Sequence, residues 1–153
     1  MRKLEDWLSA YMEYTDDTEP RPMFRKWCGI SAIAACLKRK CYLALGRELF
    51  FPNFYIVLVG PPAARKGTAM KPAIELLDSL GIVKAADESS RQKLITRLKM
   101  CYTAEGDPND RAGMFFHSSK TIISTELTVF LGYGNLELIT TLCKWFDCES
   151  TFV

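Results

Sequence analysis

Histidine is almost missing from this chain of 153 residues: His117 is the only one. The six cysteines, at positions 28, 36, 41, 101, 143 and 148, form no CxxC pair and have no histidine at zinc-ligand spacing, which excludes the common zinc-binding patterns. Four of them fall in strongly apolar or helical surroundings, so the cysteines are expected to be buried free thiols in a reducing compartment. Long hydrophobic runs are lacking too, and no window reaches the roughly 18 apolar residues of a membrane span. The N-terminus MRKLEDWLSAYMEY carries acidic residues and no apolar core, unlike a secretory signal. A cytoplasmic location with no membrane partner is the expectation. Charge of one sign is equally scarce: the formal net charge is +2, so no global field marks a nucleic-acid binder and any basic patch must be local.

What is present is a chain with 48% apolar residues, enough for one compact α/β domain with a core. Leu4, Trp7, Leu8, Tyr11 and Met12 recur at helical spacing and end before the turn-like TDDTEPRP. FRKWCGISAIAACLK, from Phe24 to Lys38, reads as a helix covered on most sides. CYLAL and FYIVLV read as extended, the second as a strand buried on both faces in the centre of a parallel sheet. Residues from Lys66 to Leu80 predict a helix stopped by Gly81 and kinked or loosened by Pro72. Further on, IVKAA predicts a short strand, SSRQKLITRLKMCY a helix with Ser89 and Gln92 at capping-box spacing, and TAEGDPNDRAG a polar loop. MFFHSS and TIISTEL predict strands, and NLELITTLCKWFDC a last helix with Asn135 as N-cap. ESTFV reads as a strand-like tail.

The chemistry concentrates in NFYIVLVGPPAARKGTAMKP. A phosphate-binding loop surrounds a β-phosphate with backbone N–H groups at a helix N-terminus, with a lysine balancing charge and a hydroxyl on magnesium. Against its pattern, G-x-x-x-x-G-K-[ST], the eight residues here are Gly60, Pro61, Pro62, Ala63, Ala64, Arg65, Lys66 and Gly67, followed by Thr68. Gly60 and Lys66 are in register. Arg65 replaces the second glycine, and Gly67 replaces the hydroxyl residue, leaving Thr68 one step late as the magnesium contact. The alternative is an ordinary strand, turn and helix bearing a surface Arg-Lys pair.

Phosphate-hydrolysing folds of this kind also carry an acidic residue at the end of a neighbouring strand, where it orients or deprotonates water. In TIISTEL, Ile122 and Ile123 read as strand core and Glu126 as the residue at the strand end. Thr125 stands where an aspartate commonly holds magnesium, and would act through a water. The alternative makes Glu126 the first residue of the next helix, stabilised by its dipole.

WCGISAIAACLKRKCYLAL, PNFYIVLVGPPAARKGTAM, SSRQKLITRL, HSSKTIISTELTVFLG and LCKWFDC together resemble the ATPase domain of phage- and plasmid-encoded replicative primase-helicase proteins. The resemblance runs from about Trp27 to the end, and GPPG-x-RK-[ST]-T is a common form of the loop in that family, so the arginine before the lysine is a family habit. It implies an α/β fold of the RecA-like phosphate-loop class, a mainly parallel sheet flanked by helices. Residues 1–40 would be a small N-terminal helical region and 41–153 a partial nucleotide-hydrolysing domain, incomplete at its C-terminus. It further implies Lys66 on the β- and γ-phosphates, Thr68 near magnesium, Glu126 as catalytic acid residue, ATP and Mg²⁺ as cofactors, single-stranded DNA as partner and a homo-oligomeric ring. Ala63 and Gly67 depart from the family form. The strand with a polar sensor and the trans-acting arginine that normally follow are not in the sequence, so weak binding and poor hydrolysis are expected of the isolated chain.

Three functions follow: the ATP-binding and ATP-hydrolysing core of a DNA-replication helicase, a nucleotide-responsive DNA-binding and assembly module in which Arg65, Gly67 and Thr125 mark lost catalysis, or a structural α/β domain that binds partners through its N-terminal helices. Lys38, Arg39 and Lys40 beside Tyr42, with Arg21, Arg25 and Lys26 upstream, read either as a nucleic-acid contact or as a solvated helix end. The same pair of readings holds for Arg91, Lys93, Arg97 and Lys99. His117 reads as a hydrogen-bonded structural residue or a catalytic one, and Trp7, Trp27 and Trp145 as core or interface residues.

Overall fold

The computed structural model describes residues 5–82, 84–85, 91–105 and 115–148. The chain divides into two compact units, one of Met1–Cys36 and Phe54–Val83, the other of Leu37–Asn53 and Lys84–Val153.

The first unit is helical. Helix α1 (Trp7–Tyr14) starts where the Asp6 carboxylate accepts from the N–H groups of Leu8 and Ser9, and its Trp7 and Tyr11 rings stack 5.2 Å apart. Helix α2 (Pro22–Leu37) begins on a proline, whose missing N–H costs nothing in a first turn. Gly29 lets the two helices approach closely: a Cβ there would lie 2.7 Å from Tyr11 Cδ1. The connection is fastened by Arg25, only 5% exposed, which donates to Asp16 (2.9 Å), to the Met12 carbonyl (3.2 Å) and to Thr15 Oγ1 (3.4 Å). A buried guanidinium is tolerated because its charge is paired and hydrogen-bonded. Burial pushes the Tyr11 hydroxyl up to about 12, and the Cys28 thiol up to about 11.

Helix α3 (Lys66–Ser79) completes this unit, burying Ala69, Ala73 and Leu77 at helical spacing. Pro72 sits inside it without ending it, so the ladder bond that would reach the Thr68 carbonyl is not made. Its end is a Schellman motif around Gly81 (φ +67°): Ile82 N–H reaches Leu77 O at 3.0 Å and Gly81 N–H reaches Asp78 O at 3.0 Å.

The second unit holds every assigned ladder. Strands β1 (Leu43–Leu45) and β2 (Glu48–Phe50) form an antiparallel hairpin through Gly46 (φ +63°). Strand β3 (Lys84–Ala85) pairs in parallel with β6 (Thr121–Ile122), and β4 (Tyr102–Glu105) antiparallel with β5 (Phe115–Ser118). Helices α4 (Arg91–Met100), α5 (Leu127–Leu131) and α6 (Leu136–Phe146) bring Leu94, Phe130 and Leu138 into one core cluster, flanked by Ile122, Leu131, Leu142 and Trp145. Arg91 ties α4 to α6 through Glu137 (2.7 Å) and Thr141 (2.9 Å). Asn135 caps α6 by accepting from Leu138 N–H at 3.1 Å.

Several expectations are corrected. The RecA-like fold with a mainly parallel sheet is not present: among the described residues the sheets are two-stranded, and the one parallel pairing is two residues long. FYIVLV is no buried central strand. No strand is assigned to it, and burial alternates, with Ile56 and Leu58 half-buried while Phe54, Tyr55 and Val57 are exposed and Val59 is 81% exposed. A continuous apolar run reads as doubly covered, but a segment covered on one face buries only alternate residues. GRELFFPN, between the two segments read as extended, contributes β2. Only Cys28 of the six unbridged cysteines is buried; Cys36, Cys101 and Cys148 are half-buried, and Cys41 and Cys143 exposed. The Ser89 cap, the ESTFV tail and most of TAEGDPNDRAG lie outside the described residues. Among the described residues no helix is long and apolar enough to cross a membrane.

Leu138 is fully buried, and Leu138→Ala is expected to lower unfolding free energy by about 2–5 kcal/mol in chemical denaturation. Leu136→Ala, at a position 73% exposed on the same helix, is expected to cost under about 1 kcal/mol.

Candidate phosphate-binding loop

Ile56, Leu58 and Gly60 face inward in the approach to the loop, and Tyr55 to Leu58 line a shallow cavity of about 230 Å³ with Trp27 of α2. Gly60 is fixed by space: a Cβ there would stand 3.1 Å from Phe24 Cζ and 3.5 Å from Ala64 Cβ. Phe24, buried on α2, is thus the floor on which the loop begins.

The chain then reverses. Ala64 N–H donates to Pro61 O at 3.3 Å, with Pro62 in the second position and Ala63 (φ +60°) in the third, the features of a type II turn. Arg65 is also left-handed, at φ +55° and ψ +28°. Ala63 and Arg65 occupy the two positions where the phosphate-loop patterns carry glycine, and both have the backbone that glycine adopts without strain. A left-handed residue followed by a right-handed helical one turns successive N–H groups toward a common concavity, which favours an anion.

Lys66 opens α3 and folds back over the loop. Its ammonium donates to Gly60 O at 2.8 Å and Pro61 O at 3.0 Å, closing a ring from the first to the seventh residue of the motif. Arg65 is the N-cap of α3 but supplies no side-chain hydrogen bond, leaving the N-terminus of a 14-residue helix without a side-chain cap. Arg65 Nε instead pairs with Glu19 Oε2 at 2.7 Å.

Around Gly67 there is open space: a Cβ added there meets no atom within 4 Å. Thr68, half-buried, is about 100° further round the helix than the position a hydroxyl residue would occupy. The loop therefore fits a polyphosphate through backbone N–H groups and Lys66, but its hydroxyl is out of register for magnesium. Among the described residues no group of three or more His, Cys, Asp or Glu side chains is assembled to hold a metal.

Thr125 and Glu126 belong to the other unit. Strand β6 ends at Ile122, with Ile123 outside it, so Glu126 does not sit at a strand end as expected. It is the exposed N-cap of the five-residue α5, and its backbone N–H and carbonyl both engage Ser124 Oγ. Thr125 is exposed beside it. His117 is buried on β5 with Nδ1 3.0 Å from Ser119 Oγ. In the basic cluster, Lys38 is left-handed just past the end of α2, and the Arg39 guanidinium lies 4.0 Å from the Phe51 ring centre.

Sequence reasoning missed Phe24 and Glu19 as neighbours of the loop. Phe24 was one apolar residue among many in α2, and Glu19 one of several acids in a turn, so neither carried a local signal. Comparisons with protein-family models, with curated proteins and with solved structures find no match for this chain.

The left-handed conformation at Ala63 costs an L-residue energy that glycine does not incur, so Ala63→Gly is expected to raise thermal stability by about 0.5–1 kcal/mol despite the added freedom of the unfolded chain. Gly67→Ser fills open space in the first turn of α3 and is expected to stabilise by about a few tenths of a kcal/mol in a thermal melt.

Proposed function

We propose that Gly60 to Thr68 binds the phosphates of a nucleoside triphosphate, and that the chain is the ATP-binding element of a DNA-replication protein of the phage or mobile-element primase-helicase kind. The observation that carries this reading is the position of Lys66: its ammonium bridges the carbonyls of Gly60 and Pro61 at the mouth of a loop closed onto an uncapped helix N-terminus. A triphosphate entering that mouth offers the ammonium stronger, ionic acceptors, and offers the helix dipole its missing negative charge. Lys66 would bind the β- and γ-phosphates, the N–H groups of the loop would surround them, and Mg²⁺ would arrive on the phosphate oxygens with Thr68 as a nearby hydroxyl. The DNA-replication setting rests on the resemblance of the motifs, as do single-stranded DNA as partner and a ring of identical subunits. This reading carries no RecA-like sheet with it.

A second reading, binding without turnover, is favoured by a specific observation. Gly67 removes the in-register hydroxyl, and Glu126 serves as a helix N-cap held by Ser124. In that case ATP acts as a signal for DNA binding or assembly. The first reading needs a carboxylate to activate water and a ligand for magnesium, the roles that the resemblance of the motifs gives to Glu126 and Thr125.

Calorimetric titration of ATP and Mg²⁺ into the wild type and Lys66→Ala, with phosphate release followed in the same samples, separates these outcomes. Lys66→Ala is expected to weaken binding at least tenfold. Equal binding by the two proteins overturns the phosphate-loop reading. Turnover that is lost in Glu126→Gln supports hydrolysis, whereas binding without turnover in the wild type supports the second reading.

A further inference from the structure

We propose that Glu19 is an acidic latch on the phosphate loop, holding Arg65 in the ligand-free state and surrendering it to the incoming phosphate. The inference rests on the phosphate-loop reading and adds to it a control residue from the N-terminal helices. Arg65 is the residue immediately before Lys66, at the N-cap of α3, where the anion-binding concavity forms. Its guanidinium is engaged by Glu19 Oε2 at 2.7 Å, so a carboxylate already sits against a cation at the edge of the phosphate position.

The latch is presented by a turn anchored on both sides. Upstream, the Thr18 hydroxyl donates to Thr15 O at 2.6 Å, and Thr15 lies against the buried Arg25. Downstream, Pro20 is buried, Phe24 N–H closes on Arg21 O at 2.9 Å, and the Phe24 ring abuts Gly60. The α1–α2 connection and the first turn of α2 therefore meet the loop at two points, Glu19 at its sixth residue and Phe24 at its first. The pair itself is solvated, with Arg65 60% and Glu19 69% exposed in their side chains. Exposed pairs of this sort are weak, so a multiply charged phosphate displaces the carboxylate while the competition still changes affinity severalfold.

The test is titration of ATP and Mg²⁺ into the full chain and into Glu19→Gln, Asp17→Asn, Arg65→Ala and the Glu19→Gln/Arg65→Ala double variant. Asp17→Asn removes a like charge from the same turn, where the ion pair to Arg65 is made by Glu19, and circular dichroism melts establish that each variant is folded. Glu19→Gln is expected to tighten binding 2- to 5-fold, Asp17→Asn to change it by less than half of that, and Glu19→Gln to have no effect on the Arg65→Ala background. If the wild type binds in a Lys66-dependent manner but Glu19→Gln matches it, matches Asp17→Asn, or keeps its effect without Arg65, the latch is overturned and the phosphate loop stands. If neither the wild type nor Glu19→Gln shows Lys66-dependent binding, both proposals fall. Lys66-dependent binding seen in Glu19→Gln alone supports both.

Discussion

Two L-residues held at positive φ, Ala63 and Arg65, set the course of the loop, and the placement of every neighbouring group follows from that reversal. Each left-handed residue costs about 1–2 kcal/mol relative to a right-handed one, so the surrounding contacts must over-determine it. Pro62 fixes φ in the turn just before Ala63. The Lys66 ammonium draws the carbonyls of Gly60 and Pro61 together, and the absence of a Cβ at Gly60 lets the chain settle against Phe24. With Arg65 left-handed, α3 begins at Lys66 without a side-chain cap. Strain of this kind persists where surrounding structure defends it, as it does here on three sides.

The loop lies in a helical unit, and the ladders lie in the other one. That division bears on what a bound nucleotide would undergo. Binding a polyphosphate needs N–H groups, a helix end and a lysine, all of which are contiguous in sequence between Gly60 and Thr68. Hydrolysis additionally needs a carboxylate and a magnesium ligand held in a fixed relation to the γ-phosphate, and the residues expected in those roles, Glu126 and Thr125, are exposed residues of the second unit just before α5.

Legibility in the sequence followed the same line. The ends of α3 and α6 were readable because Gly81 and Asn135 act on backbone groups two to four residues away. The left-handed backbone at Ala63 and Arg65 was not readable, because both residues stand where the pattern has the glycine that would have signalled it. What could not be read was coverage. FYIVLV has the composition of a doubly buried strand, but whether a second face is covered depends on elements distant in the chain, and here only alternate residues are covered. Five of the six cysteines escape full burial for the same reason: an apolar neighbourhood along the chain does not fix what lies across from it. Glu19 was invisible because an acid in a polar turn becomes significant only through the cation it reaches.

Charge balance gives the loop its final character. Lys66 is satisfied by two carbonyls of the loop itself, and Arg65 by Glu19, so both cations closest to the proposed phosphate position already have acceptors. The consequences of the two pairings differ. The carbonyls that hold Lys66 are neutral, and the ammonium gains when an anion replaces them, so this contact keeps the loop shaped without strongly opposing a ligand. Glu19 is itself an anion, and it competes for the same charge that a phosphate needs. The ligand-free loop is thus held in shape by its lysine, while its arginine is engaged by Glu19, which like Phe24 comes from outside the motif. A residue in the α1–α2 turn then bears on the loop through electrostatics alone, while Phe24 bears on it through packing. Movement of α1 against α2 would therefore alter both contacts together.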